Sequence, residues 1–280
     1  MKKILQYLFE HKTLTRHAAK ELLLSMSSGA YNDSELASLM TVFLMRSITI
    51  AELQGFRDAL LELAVPIQLG GGHELLDIVG TGGDGKNTFN ISTLSCFIVA
   101  GAGQKVAKHG NYGASTISGS SNVMEQLGYT FKNDENALQK ELDAANICFL
   151  HAPLFHPALK LVGPIRKNLG VRTFFNMLGP LVNPAKPAHQ LIGVYSLEMA
   201  RIYHYLLQEE GINYTIIHGL DGYDEISLTS DTKIFTAKGE RIVSANELGK
   251  RIVFPEDLAG GDTVEASAQI FLKIIIAALN

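Results

Sequence analysis

The sequence predicts an α/β protein: a small N-terminal helical bundle, then a larger domain whose mainly parallel central sheet is flanked by helices. Three observations predict it. Residues 1–64 carry helical spacing throughout, a Pro/Gly-rich break runs from Val65-Pro66 to Gly70-Gly71-Gly72, and from Leu75 onward short β-branched runs alternate with helical ones. The expected division is 1–66 and 73–280, with helices from about 156–180 expected to join the smaller part.

In the first part, Thr15 can cap a helix that runs to Met26 and stops at Ser28-Gly29. Asp33 or Ser34 can cap a second over Glu35–Arg46. Thr49, with Glu52 three residues on, forms a capping box for a third over Ile50–Leu63. Three such helices make a small bundle. Beyond the break the expected order is strand Leu75–Val79, helix Thr93–Gly101, strand Lys105–Ala107, helices Ser118–Leu127 and Asn133–Ala145, strand Ile147–Leu150 and helix His156–Leu169. Strand Gln190–Val194, helix Leu197–Glu210, strand Tyr214–His218 and two strands near Ile226–Thr229 and Lys233–Thr236 follow. In parallel sheets, ligands sit at the carboxyl ends of the strands. The loops Gly80–Gly85, Lys108–Ser115 and Gly219–Glu225 all fall there.

The stretch Leu76–Ser121 is the chemical centre. An apolar run ends in Gly80-Thr81-Gly82-Gly83-Asp84-Gly85, a hydroxyl cluster (Thr88, Ser92, Thr93, Ser95) follows, and Lys108-His109-Gly110-Asn111 comes after the next strand. No Asp or Glu occurs from Gly85 to Met124, while Lys86, Lys105 and Lys108 lie inside. Free backbone N–H groups, hydroxyls and lysines without competing carboxylates suit a bound polyphosphate. Two standard nucleotide loops fit poorly. Gly80-x-Gly82-x-x-Gly85 lacks the acidic residue some 20 positions on that would hold a ribose, and Gly80-x-x-x-x-Gly85-Lys86 has Asn87 where a magnesium-binding Ser or Thr belongs. A glycine-rich turn without a ligand is the plainer alternative.

Two further places carry chemistry. Gly219–Glu225 puts Asp221, Asp224 and Glu225 in one short loop. The adjacent pair Asp224-Glu225 offers hard oxygen ligands suited to Mg2+ shared with phosphate oxygens; a solvated acidic turn is the alternative. Arg166 lies on the helix side that carries Val162 and Gly163, where its guanidinium could fork a substrate carboxylate; Lys167 and Arg172 read as surface charges. His109 is a base or a turn histidine, and His151 and His156 read as structural.

Composition excludes other classes. At 280 residues with 46% hydrophobic and 19% charged content, the chain can bury a large core and is not disordered. A net charge of −4 argues against nucleic acid as partner. No apolar run reaches the 18 or so residues of a membrane span, and Cys96 and Cys148 read as buried thiols of a cytoplasmic protein.

Taken together, Gly80-Thr81-Gly82-Gly83-Asp84, Asn90-Ile91-Ser92-Thr93, Lys108-His109-Gly110-Asn111, Ser118-Gly119-Ser120, Gly170-Val171-Arg172-Thr173, Asn176, Leu178-Gly179-Pro180-Leu181, Asn183-Pro184 and Asp224-Glu225 resemble the anthranilate phosphoribosyltransferase family of tryptophan synthesis. The resemblance runs in order from about Leu14 to Asp262. It implies two domains with a cleft, a homodimer, and Mg2+-dependent transfer of phosphoribose from phosphoribosyl pyrophosphate to the amine of anthranilate. By position, Gly80, Gly83, Asp84, Thr88, Asn90–Thr93, Lys108–Thr116 (with His109, Gly110, Asn111, Ser115) and Ser120 would hold the donor. Ser92, Asp224 and Glu225 would hold Mg2+, and Gly80, Asn111 and Arg166 would meet anthranilate. No residue is singled out as a strong acid or base; Lys108 and Asn111 are candidates for charge stabilisation. Closure about residues 65–72 would exclude water.

Three positions depart from the family. Tyr112 stands where Arg is usual, Ile117 where a basic residue is usual, and Asn122 where an acid is usual. The chain also stops at Asn280, where family members continue. Two rival readings share some of these features: a pyrimidine-nucleoside phosphorylase, which needs no metal pair, and a non-catalytic nucleic-acid binder, which calls for a basic face.

Overall fold

The structure is a computed structural model, and it describes residues 1–70, 74–113 and 117–279. The glycines at 71 and 72 of the break, and Ser115 and Thr116 of the proposed donor site, lie outside the described residues. The chain forms two compact units, residues 1–66 with 153–184 and residues 67–152 with 185–280.

In the first unit, helices α1 (Lys2–Phe9), α2 (Arg16–Ser27), α3 (Asp33–Arg46) and α4 (Ile50–Leu63) precede α9 (Leu159–Leu169). The bundle thus holds one helix more at its start than the three expected. Thr15 caps α2 by accepting the Ala18 N–H, and Thr49 and Glu52 form the expected box on α4. The cap of α3 is Asn32, in a reciprocal box with Glu35, and Asp33 enters the first turn instead of capping it. Asn32 wins because its extended backbone aims its side-chain oxygen at the Glu35 N–H, and Asp33 then favours the positive end of the helix dipole. Gly55 lets α4 lie against α2, since a Cβ there would strike the Arg16 carbonyl. The rings of Phe56, Phe174 and Phe175 stack in sequence, and Phe43 meets Phe56 and Phe174 edge-on.

One charged pair is sealed into this bundle. Glu52 is fully buried and accepts bonds from the Arg46 guanidinium and from the Leu14 and Thr49 N–H groups, at 2.8 and 2.9 Å for the latter two. Burial pushes its carboxyl up, but Arg46 and the backbone donors outweigh that and hold it below the usual range. A depressed carboxyl contributes stability above its unfolded pKa and loses it as the pH falls through its lower folded value. Glu52→Ala is therefore expected to cost about 3–5 kcal/mol, because Arg46 is left buried and uncompensated. Urea melts at pH 7 check this, and the cost should shrink in acid.

The second unit holds a seven-stranded sheet in the order β3-β2-β1-β4-β5-β6-β7. β1 (Leu76–Gly80), β2 (Val106–Gly110), β3 (Ile147–His151), β4 (His189–Gly193) and β5 (Asn213–Gly219) are parallel; β6 (Thr232–Thr236) and β7 (Gly239–Val243) add an antiparallel hairpin. α5 (Ile91–Gly101), α6 (Ser120–Gln126), α7 (Glu135–Ala145), α10 (Leu197–Glu209) and α11 (Val264–Leu279) belong to the same unit. α5 seals the sheet through Ile78, Cys96, Ala100 and Val106. α11 packs on α5 and α6 through Leu94, Val123 and Phe271. α8 (Ala152–Phe155) is a single turn linking β3 toward α9, which begins three residues later than the expected helix, after Pro157.

Two strand expectations are corrected. Ile226–Thr229 is not a strand. Ser227 bonds Thr229, Asp221 accepts from Thr229 and Ser230, and Leu228 sits at φ 63°, so side-chain bonds close this segment into a loop. The last strand lies instead at Gly239–Val243. Lys108, His109 and Gly110, expected in a loop, complete β2 in register with Phe149, Leu150 and His151.

Candidate active site

Strand order fixes where a ligand can sit. From β1 the chain winds outward through β2 and β3, then returns to the other side of β1 as β4, so the switch point lies at the carboxyl ends of β1 and β4. Those ends are Gly80 and Gly193. Both glycines are required by Asp224. A Cβ on Gly80 would come within 2.6 Å of the Asp224 carboxylate, and one on Gly193 would collide with its carbonyl oxygen. The Asp224 carboxylate accepts the Gly82 N–H at 2.8 Å, and Thr81 N–H donates to the Gly193 carbonyl at 2.9 Å. The loop after β1 and the loop after β5 are therefore laced together.

Gly80→Ala is expected to displace the Asp224 carboxylate while leaving the sheet intact. A misplacement near 1 Å costs about 10²-fold in turnover. Steady-state rates alongside a thermal melt check this: activity should fall far more than stability.

The first loop has left-handed glycines at Gly82, Gly83 and Gly85. It is not a standard nucleotide loop, because residues 86–90 are non-helical and α5 starts only at Ile91. Asn87, at the position where a P-loop ligates metal, instead donates to the Gly261 carbonyl at 3.0 Å; Gly260 N–H returns a bond to the Asn87 carbonyl at 2.8 Å. Thr88 pairs with Ala259, and a Cβ on Gly260 would strike the Thr88 carbonyl. The Gly260-Gly261 segment thus straps the loop from outside, a role that no local sequence signal announces. Lys86 lies over the Tyr223 ring at 4.6 Å and ties the loop again to the β5 side.

Around this loop, polar side-chain atoms are buried without partners: Thr81 Oγ1, Asn90 Oδ1, Thr93 Oγ1 and Ser118 Oγ. Orphans of this kind cost free energy unless a ligand or water satisfies them. The first turn of α5 carries no acid, and its Ser92 N–H faces the Glu225 carboxylate. Asn90 Nδ2 holds the Ser118 carbonyl at 3.1 Å.

The carboxylates form a tight group. Burial, the charge of Asp84 and a shared hydrogen bond with it push the Asp224 carboxyl up to about 7. The Glu225 carboxyl is pushed well above its usual range by burial and by the adjacent Asp224, against the pull of Lys108 and Ser92. Such a pair is costly when both members are ionised and no cation is present. Among the described residues, no three His, Cys, Asp or Glu side chains are set to enclose a metal by themselves.

β2 brings the other expected residues. Lys108 is buried, and its Nζ donates to the Ile78 carbonyl at 2.7 Å, beneath the loop and not projecting from it. His109 is buried, with its N–H on Asp77. Gly110 is needed because a Cβ would meet Ser120 Oγ at 2.5 Å. Asn111 is exposed, and its N–H and carbonyl both bond Ser120 Oγ at 3.2 Å. Tyr112 packs edge-on against His151 at 5.0 Å, and Asn122 accepts the Gly113 and Gly119 N–H groups, each at 2.9 Å. These two departures thus hold residues on either side of 114–116, Asn122 at Gly113 and Gly119 and Tyr112 at His151. Ile117 is exposed. Arg166 belongs to the first unit, half-buried over the Phe175 ring and hydrogen-bonded to Asn176. Burial penalises its charge.

Comparison with known proteins is consistent across the chain. The glycosyl transferase family a/b domain matches residues 72–274, and the glycosyl transferase family helical bundle domain matches residues 2–64. An anthranilate phosphoribosyltransferase of Flavobacterium johnsoniae is 58% identical over 275 residues, covering 98% of this chain and 83% of the relative. One from Bacteroides thetaiotaomicron is 56% identical over 275 residues, covering 98% and 82%. Among solved structures, the anthranilate phosphoribosyltransferase of Thermus thermophilus matches with a TM-score of 0.88 at 33% identity, over 95% of this chain and 80% of that one. The Saccharomyces cerevisiae enzyme in complex with PRPP and Mg matches at 0.85 and 28% identity, over 95% and 77%.

Proposed function

The chain belongs to the anthranilate phosphoribosyltransferase family, and from that premise we infer that it transfers the phosphoribosyl group of phosphoribosyl pyrophosphate to the amine of anthranilate. The observation that carries this reading is the switch-point cluster: a glycine loop ringed by orphaned oxygens and laced to a carboxylate pair, Asp224 buried and Glu225 half-buried. The bond from C1 to the pyrophosphate oxygen breaks and a bond from the anthranilate nitrogen to C1 forms. The nitrogen then passes its extra proton to the departing pyrophosphate or to water, giving N-(5-phosphoribosyl)anthranilate and pyrophosphate.

The aromatic amine is weakly basic and keeps its lone pair at neutral pH, so no strong general base is required. Positioning and charge stabilisation supply the rate. Asp224, Glu225 and Ser92 would hold Mg2+, which fits a pair of adjacent carboxylates that cannot close a cage alone and needs oxygens from the donor to complete it. When bound, Mg2+ supplies the positive charge that makes pyrophosphate a better leaving group. Gly80, Gly83, Asp84, Thr88, Asn90, Thr93, the Lys108–Thr116 segment and Ser120 would frame the donor, chiefly through backbone N–H groups and hydroxyls. The burial of Lys108 argues for a supporting role beneath the carboxylates for its ammonium. As the family resemblance implies, Gly80, Asn111 and Arg166 would meet anthranilate, with Arg166 matching its carboxylate. The Asp224-Glu225 pair also argues against the phosphorylase alternative.

A homodimer through the helical unit is supported by exposed Tyr7 and Phe9 on α1 and Leu44 and Met45 on α3. Sedimentation should give twice the chain mass, and a monomer at micromolar concentration contradicts it. For the reaction itself, anthranilate fluorescence should fall only when phosphoribosyl pyrophosphate, Mg2+ and protein are all present. No fall, with donor binding intact, would mean a different acceptor.

A further inference from the structure

Arg166 is held in an unusual way. α9 ends at Gly170, in the left-handed conformation, and the chain turns at once into a short 3-10 helix, Phe174–Met177. Asn176 is locked into that turn twice: its N–H donates to the Thr173 carbonyl at 2.9 Å, and its Oδ1 accepts the Thr173 N–H at 3.0 Å. The same Oδ1 accepts Arg166 Nη2 at 3.3 Å. Two N–H donors converging on one atom settle which end of the amide faces them, since only the oxygen can accept. The guanidinium also lies over the Phe175 ring, 5.5 Å from its centroid.

The guanidinium is thus oriented from below by a ring and from one side by an amide oxygen. It has five N–H donors and, among the described residues, no carboxylate partner. Half-buried arginines usually find an acid, because an uncompensated charge is costly away from water. The neutral amide at 176 aims the fork without cancelling its charge.

Resting on the transferase reading, we propose that Asn176 is a positioning residue for the acceptor. It fixes the Arg166 fork to receive the carboxylate of a small aromatic acid, and its neutrality keeps the cation available. A carboxylate at the same place would bind Arg166 bidentately and compete with the substrate.

Two variants separate this from a cap that merely shapes the turn. Asn176→Asp keeps an acceptor of the same size for Thr173 N–H, so a structural role predicts wild-type behaviour. Our assignment predicts an anthranilate KM raised at least tenfold, with the phosphoribosyl pyrophosphate KM unchanged and the melting temperature no lower than that of wild type. Asn176→Ala frees Arg166 without neutralising it, and its KM rise should be smaller. The expected order of anthranilate KM is Asp above Ala above wild type. A purely structural role gives the reverse order, Ala above Asp, and either that order or an Asp variant within twofold of wild type overturns the proposal. If the wild-type protein consumes no anthranilate at all while binding the donor, the transferase reading falls and the proposal falls with it; failure of the variant order alone leaves that reading standing.

Discussion

Asp224→Asn and Glu225→Gln, made together, are expected to lower turnover and raise the stability of the metal-free protein. The loss in kcat/KM for phosphoribosyl pyrophosphate should reach about 10²–10³-fold, the scale on which a preorganised charge-stabilising group acts. The stability gain follows from the sign of the shifts. Asp224 has its folded pKa raised to about 7, from an ordinary value of 3.8. Over that window the native state binds more protons than the unfolded chain, so the stability of the metal-free protein falls as the pH rises from about 4 to 7. Above pH 7 the full penalty of ionising an enclosed carboxylate is present, and Glu225 adds to it in the same direction. The amides remove that penalty. Thermal melts with chelator at pH 8 should show the variant above wild type, by about 2–4 °C for each kcal/mol relieved in a chain of this size. At pH 4.5 the two melting curves should converge. A variant that melts lower at pH 8 would mean that the pair is already compensated inside the protein.

Arg166→Ala should act on the acceptor and spare the donor. A charge-assisted bond to a carboxylate contributes about 1.5–3 kcal/mol, so the anthranilate KM should rise by about 10- to 150-fold. Because this contact is made in both ground and transition states, kcat should change little. Arg166→Lys should recover only part of the loss, since an ammonium cannot reproduce the planar fork that Asn176 and Phe175 orient. Initial rates over a matrix of both substrates check the split. A rise in the donor KM instead would move Arg166 into the pyrophosphate site.

Much of this arrangement is legible in the residue order, and the exceptions have physical reasons. Thr49 and Glu52 announce the start of α4 because a capping box is a four-residue event. The alternation of β-branched runs with helical ones announces the parallel sheet because each strand is buried on both faces. Lys108 to Gly110 do not read as strand because a lysine, a histidine and a glycine carry little β preference; the neighbouring Phe149 and Leu150 of β3 draw them into register. Ile226–Thr229 misleads for the opposite reason. Its apolar alternation is real, but the hydrogen bonds of Asp221, Ser227 and Thr229 close a loop before a ladder can form.

The site residues divide in the same way. Asp224-Glu225 stand out as adjacent acids after a strand. That Gly80 and Gly193 are small to admit Asp224 cannot be read locally, because the contacts join β1, β4 and the loop after β5, and Gly82 and Asp224 are 142 residues apart in sequence. The strap over Asn87 by Gly260-Gly261 is equally long-range. Asn176 is visible only as part of a motif. Its two-donor oxygen exists only after the turn following Gly170 has formed.

In the proposed mechanism the Asp224-Glu225 pair holds a cation together with the donor's pyrophosphate. Calorimetric titration of phosphoribosyl pyrophosphate, without anthranilate, into wild type and into the Asp224→Asn, Glu225→Gln protein tests it most directly. The account predicts that Mg2+ tightens donor binding to wild type by about tenfold or more, a coupling of ordinary size for two linked ligands, and that the variant loses this coupling. Equal tightening by Mg2+ in both proteins would place the cation elsewhere and contradict the account.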